Sequence, residues 1–218
     1  MEREPLFIAH RGDAVNFPEN TLEAFEGAFS KGADGVEMDV HLSDSGEIIV
    51  VHNYLYDRAQ NYPTLDEVLT RFASRGRIEI EIKELEEKAL TIIQAIVSKY
   101  RPFEVEVTTS VQPLMQKISD VFNTDKRGLI FRRTLIEDWM PEEFRIKWLL
   151  AHMHLTGANV LHLDLDLYTP AIIAAMQAKN IVTHTHIKAE NNNAIDTVRD
   201  LGIDQFTFDD IELLKQKK

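Results

Sequence analysis

The chain is predicted to fold as a closed (β/α)8 barrel with a small extra hairpin after its second strand. Three observations predict it. Strand-like and helix-like runs alternate about eight times, which argues for a parallel sheet with crossover helices. The length of 218 residues suits such a barrel as one domain spanning 1–218. Within the strands, acidic residues line one face and aliphatic residues the other. A sheet coated by helices on its outside must then turn the acids inward. A doubly wound open sheet is the runner-up architecture.

The first strand, 6–9, is apolar and runs into His10-Arg11-Gly12. Asn20-Thr21 opens a helix over 21–31, with Glu23 in its first turn and Gly32 as its stop. In the second strand, 35–40, Val36, Met38 and Val40 oppose Glu37 and Asp39. The turn Ser43-Asp44-Ser45-Gly46 leads to an extra extended piece, 47–51, that ends at His52. A helix over 64–72 precedes the strand 77–83, where Ile78, Ile80 and Ile82 oppose Glu79, Glu81 and Lys83. After a helix over 86–99, Glu104, Glu106 and Thr108 alternate with Val105 and Val107 in the strand 104–108. Helices over 112–120 and 142–153 flank the strand 128–131. Around 160–166, Leu161, Leu163 and Leu165 oppose His162, Asp164 and Asp166. A helix over 170–179, a strand over 181–186 with His184 and His186 on one face, and a helix over 193–201 stopped by Gly202 follow. The strand 205–208 and a last helix over 211–215 finish the pattern.

Composition narrows the function. The chain has no cysteine, so disulfides and thiolate catalysis are excluded and any metal must take oxygen and nitrogen ligands. The net charge of −12 opposes non-specific nucleic-acid binding, which needs basic patches. No apolar run reaches the length of a membrane span. The first residues lack a basic leader followed by an apolar stretch, so a cytoplasmic location is expected.

Inward carboxylates are costly unless a cation meets them. Glu37 and Asp39, two apart on a strand and about 7 Å along it, join Glu81 of the following parallel strand in an all-oxygen set suited to Mg²⁺ or Ca²⁺. An isolated Glu-x-Asp would be a solvated strand face; three acids at neighbouring strand ends reverse that preference. His10 and His52 each follow an apolar strand, which places them at the C-terminal rim of a barrel. Two imidazoles there can divide phosphoryl chemistry into a base and an acid. Arg11 and Lys83 are permanent cations for phosphate oxygens, and Gly12 lets the backbone approach an anion. His41 is expected in the loop after Asp39, His152 and His154 late in a helix, and Trp139 and Trp148 in packing roles. His184 and His186 read as inward polar filler before they read as a second metal site.

These motifs, in order, resemble the glycerophosphodiester phosphodiesterase family. The run comprises His10-Arg11-Gly12, Pro18-Glu19-Asn20-Thr21, Ala24-Phe25, Gly32-Ala33-Asp34, Glu37-x-Asp39 and His52. Pro63 to Leu69 and Glu81-Ile82-Lys83 continue it, and Thr109 to Pro113 and Thr207-Phe208-Asp209 are similar to later family segments. The resemblance implies a TIM barrel hydrolysing glycerophosphodiesters to an alcohol and glycerol 3-phosphate, in lipid and glycerol metabolism. Carried over, Glu37, Asp39 and Glu81 bind the divalent metal, His10 and His52 are the acid/base pair, and Arg11 and Lys83 hold the phosphate of a small-molecule phosphodiester. The implied route has the substrate's own 2-hydroxyl attack phosphorus, and water then opens the cyclic phosphate.

Departures from the family pattern bear on the substrate. His52-Asn53 replaces the family's His-Asp, and the usual insertion before Pro63 is absent, which makes this a compact bacterial-type member with an open site. His184-Thr185-His186-Ile187 stands where Trp-Thr-Val-Asn is usual, and Glu79 where Asn is common. Two alternatives follow: a barrel phosphodiesterase acting on a larger phospholipid or lysophospholipid head group, and a non-catalytic module that binds a phosphate ligand.

Overall fold

The computed structural model describes residues 4–84, 86–101, 104–122, 126–137, 139–188 and 193–216. The strands are β1 (Leu6–Ala9), β2 (Gly35–Leu42), β3 (Ile48–Val50), β4 (Arg77–Ile82), β5 (Glu104–Thr109), β6 (Lys126–Ile130), β7 (Val160–His162), β8 (Val182–Ile187) and β9 (Gln205–Phe208). All but β3 pair in parallel, and β1 bonds to both β9 and β2, which closes an eight-strand TIM barrel. β3 lies antiparallel on β2, with Val40 opposite Val50, and is the expected hairpin.

The helices α1 (Leu22–Ser30), α2 (Leu65–Phe72), α3 (Glu87–Tyr100), α4 (Gln112–Val121), α5 (Glu142–Thr156), α6 (Pro170–Gln177) and α7 (Ala194–Leu201) lie between strands. Local chemistry sets their starts. Thr21 and Thr64 each accept a hydrogen bond from a first-turn N–H, and Thr64 forms a reciprocal capping box with Glu67. The last helical segment is a short 3-10 helix, Ile211–Gln216. No helix among the described residues is long and apolar enough to cross a membrane.

The alternation in the strands becomes the two sides of the barrel wall. Val36, Met38, Val40, Ile78, Ile80, Ile82 and Val107 join the apolar layer. Glu37, Asp39, Glu79 and Glu106 are buried on the inside. Register stacks them in two levels: Glu37 beside Glu79 beside Glu106, and one level nearer the C-terminal rim Asp39 beside Glu81 beside Thr108. Arg77, buried, reaches Glu106 and lies 3.1 Å from Glu104, which meets part of the cation requirement from within the fold.

Three expectations change. β7 ends at His162: Leu163 N–H still donates to the His184 carbonyl, but Leu167 N–H then closes a turn on the Asp164 carbonyl. Asp166 therefore leaves the wall and pairs with Arg133 at the surface. His41 belongs to β2 and is buried, because the hairpin extends that strand to Leu42. Trp139 is largely exposed, whereas Trp148 packs on Phe131.

Gly12 is a position that requires glycine. Its φ is +83°, and a Cβ there would fall 2.6 Å from the Ala24 carbonyl carbon. Asp13 N–H donates to that same Ala24 carbonyl at 2.9 Å, so the loop is seated on α1. Gly12→Ala is expected to lower stability by about 2 kcal/mol or more through left-handed backbone strain and a backbone clash. Thermal unfolding checks this, and an unaltered midpoint contradicts the packing described.

Candidate active site

The rim is assembled from strand ends. Arg11 leaves β1 with φ +56° and Asn20 sits at φ +59°; both belong to the loop between β1 and α1 that folds back over β2. Asp39, fully buried, is the hub of this arrangement. Asn20 Nδ2 donates to its Oδ2 at 3.0 Å. Arg11 Nε lies 3.1 Å from Oδ2, and Lys83 Nζ lies 3.0 Å from Oδ1. Lys83 also lies 3.2 Å from Glu81, and Arg11 donates to Glu19 at 3.0 Å.

Glu37, Asp39 and Glu81 each offer a carboxylate oxygen within 4.8 Å of the others. Burial raises Glu37 well above the usual carboxylate range, with Asp39 and Glu81 adding repulsion. Burial raises Glu81 too, against the pull of Lys83. Burial would also raise Asp39, but Lys83 and Arg11 bring it below its ordinary value. Glu37 accepts only the Arg11 backbone N–H at 3.2 Å, and its sole ion-pair neighbour among the described residues is His10 Nε2 at 3.8 Å. Three converging carboxylates with one lacking a fixed cation make a donor set that fits a hard divalent ion.

His10 is held by a residue that motif reading left without a role. Asp209, just past β9, accepts from His10 Nδ1 at 2.6 Å. With that proton on Nδ1, neutral His10 presents the Nε2 lone pair toward Glu37. His186 Nε2 lies 3.3 Å from the other Asp209 oxygen, and the His10 and His186 rings meet edge to face at 4.6 Å. Burial lowers the His10 pKa, which the Asp209 bond only partly offsets. The sequence signal for Asp209 was present in Thr207-Phe208-Asp209, but pairing it with His10 needed the β1–β9 closure.

His52 follows β3, next to the residue that bonds the Asp39 backbone. Val51 N–H donates to the Asp39 carbonyl at 3.0 Å, and His41 Nε2 reaches the His52 carbonyl at 3.3 Å. His41 is in turn held by Glu84 at 3.0 Å. Burial lowers the His52 pKa, Asp39 opposes this, and Arg11 and Lys83 add to it. The Asn53 Oδ1 lies 3.3 Å from His52 Nδ1, a neutral partner where a carboxylate was expected.

The structure therefore brings Glu37, Asp39, Glu81, Arg11 and Lys83 together as expected. It divides the histidines between two hollows. A cavity of about 210 Å³ is lined by His10, Glu37, Glu81 and His186, with Phe131 and Leu163 as an apolar wall. His52 and Asn53 line a neighbouring cleft with Glu19, Asn20 and Tyr62.

Known proteins resemble the chain in part of its sequence and in its fold. Residues 10–62 match the model of the Glycerophosphoryl diester phosphodiesterase family. A glycerophosphodiester phosphodiesterase of Caldanaerobacter subterraneus is 52% identical over 56 residues, 26% of this chain and 23% of that protein. One from Bacillus altitudinis is 34% identical over 137 residues, 62% of this chain and 51% of its own length. The chain thus spans between about a quarter and a half of these relatives. The crystal structure of a glycerophosphodiester phosphodiesterase from Thermotoga maritima superposes with a TM-score of 0.78 at 23% identity, covering 100% of both chains. An Oleispira antarctica phosphodiesterase in complex with the product sn-glycerol-3-phosphate gives 0.80 at 16% identity, covering 98% of this chain and 96% of its own. The fold these structures share with the chain is a TIM barrel. In sequence the chain is similar to glycerophosphodiester phosphodiesterases over part of its length.

Proposed function

We propose that this chain hydrolyses glycerophosphodiesters to an alcohol and glycerol 3-phosphate, with Mg²⁺ or Ca²⁺ held by Glu37, Asp39 and Glu81. The observation that carries the reading is the convergence of those carboxylates beside a histidine whose proton is fixed. Asp209 keeps Nδ1–H of His10 occupied, so Nε2 is the atom that takes or gives the reacting proton. His52 is the second imidazole, and one of the two accepts the proton of the substrate's 2-hydroxyl while the other protonates the leaving alcohol; water then opens the cyclic phosphate to glycerol 3-phosphate. Arg11 and Lys83, anchored on Asp39, place positive charge where phosphate oxygens would lie. The ion, when bound, supplies charge stabilisation for the phosphoryl group and orders the glycerol hydroxyls. The family match and the product carried by the Oleispira relative support the substrate class.

A second reading has its own observation. Tyr54 and Leu55, two and three residues after His52, are exposed, Leu55 by 91%. Bare apolar side chains beside the second histidine favour a larger phospholipid or lysophospholipid head group. A panel of glycerophosphocholine, glycerophosphoethanolamine and lysophosphatidylcholine, each with Mg²⁺ or Ca²⁺ and with chelator, separates the two. The first reading expects metal-dependent glycerol 3-phosphate from the deacylated diesters. Turnover confined to the lysophospholipid supports the second, and ligand binding without product supports a non-catalytic module.

A further inference from the structure

Deeper in the barrel the strand register gathers another set of donors. Glu79 and Glu106 are register partners on β4 and β5, while His162, His184 and Gln205 are successive partners on β7, β8 and β9. The two carboxylates and two imidazoles meet across the barrel, each offering a ligand atom within 4.8 Å of the others, and all four residues are buried.

Hydrogen bonding fixes where the lone pairs point. The amide nitrogen of Gln205 can only donate, and it donates to Glu106 Oε2 and to His184 Nδ1, both at 2.9 Å. His184 Nδ1 is therefore unprotonated. It faces Glu79 Oε2 at 3.7 Å, an oxygen with no hydrogen-bond partner among the described residues on a side chain only 2% exposed. His162 Nε2 lies 2.6 Å from Glu106 Oε1 and donates to it, and His162 Nδ1 lies 3.9 Å from Glu79 Oε1. The two rings stack at 3.8 Å, an arrangement that disfavours placing a proton on both. Neither gap holds a hydrogen bond, and Glu79 Oε2 is left buried without one among the described residues.

Donors on one tetrahedral ion at about 2.0–2.1 Å lie about 3.3–3.4 Å apart, so both gaps would have to close by only about half an ångström. We propose that Glu79, His162 and His184 bind a second divalent ion of the zinc class, with Glu106 orienting His162. A carboxylate behind a ligating histidine is the usual outer support of such a site. Arg77 pairs with Glu106 and also lends positive charge to Glu79, but no hydrogen bond reaches Glu79 Oε2 among the described residues. Binding exchanges the Gln205–His184 hydrogen bond for a metal bond and leaves Gln205 on Glu106. Mixed nitrogen and oxygen donors select a borderline ion, in contrast to the all-carboxylate rim. Glu79 and His162 line the same cavity as Glu37 and Glu81, which gives the ion a path in. Glu37 is the register neighbour of Glu79, while Asp39 and Glu81 stand one level nearer the rim, so the second centre adjoins the first on its inner side.

Cobalt titration of the full chain, stripped with chelator, tests this without reference to turnover. Two equivalents of Co²⁺ are expected, one with the strong visible absorption of a low-coordinate nitrogen-containing site and one with the weak absorption of an all-oxygen site. Glu79→Gln, which keeps the side-chain shape, should abolish the strong band and weaken that equivalent at least tenfold. Glu37→Gln should remove only the weak one. His184→Gln, checked for folding by circular dichroism, should reproduce the Glu79→Gln result. Zn²⁺ should raise the melting temperature of the parent chain and not of Glu79→Gln. A strong band and stoichiometry unchanged by Glu79→Gln, or the absence of any strong band in the parent chain, overturns the site.

Discussion

His10→Ala is expected to lower kcat by about 10²–10⁴-fold, the range contributed by a positioned acid or base, while the melting temperature changes little. The side chain is partly exposed at the cavity, so its removal leaves no large void in the core. Its contribution lies in the fixed tautomer. Asp209→Asn refines the prediction because the carboxylate raises the His10 pKa both through its hydrogen bond and through its charge. Without that charge the His10 pKa falls. If His10 is the base, the acid limb of the pH–rate profile moves to lower pH; if it is the acid, the alkaline limb moves to lower pH. Either shift assigns the role. Full activity in His10→Ala, or a profile unmoved in Asp209→Asn, contradicts the arrangement.

Asp39→Asn should damage both stability and metal binding. Asp39 is the shared counter-charge for Arg11 and Lys83 and holds Asn20, so its neutralisation loosens the loop between β1 and α1 at the point where it crosses β2. Removing one partner of a buried ion pair typically costs about 3–5 kcal/mol. The lower end is expected here, since Arg11 keeps Glu19 and Lys83 keeps Glu81. Affinity for Mg²⁺ or Ca²⁺ should fall at least tenfold because one of three oxygen ligands loses its charge. Urea unfolding of the metal-free protein and calorimetric titration with each ion read the two effects. A variant as stable as the parent, with unchanged affinity, would remove Asp39 from the centre of the site.

Much of this was legible along the chain because period-two alternation reports directly on which face is buried. Glu37, Asp39 and Glu81 could be placed together before any coordinates, since each sits on an apolar strand beside its parallel neighbour. The pattern failed where a period of two outlived the strand. Asp166 continues the alternation of β7, yet the chain has by then turned away and Asp166 meets Arg133 outside. His41 shows the converse: it continues the period of Glu37 and Asp39, and pairing with Ile49 in the hairpin keeps it in β2 where a loop was expected. Asp209 and Arg77 were hidden by distance. Asp209 reaches His10 across 199 positions through barrel closure, and Arg77 finds Glu106 across 29. Nothing local marks such pairs. The separation of His10 and His52 into adjoining hollows was likewise unreadable, since it depends on how the segment after β3 packs beside Asn20.

The most direct test uses the doubly substituted chain His10→Ala/His52→Ala, shown to be folded and loaded with Mg²⁺ or Ca²⁺. Phosphorus NMR of glycerophosphocholine incubated with the parent chain should show glycerol 3-phosphate accumulating. The double variant should give none while still binding the ion through Glu37, Asp39 and Glu81. Normal release of glycerol 3-phosphate by the double variant would contradict the account.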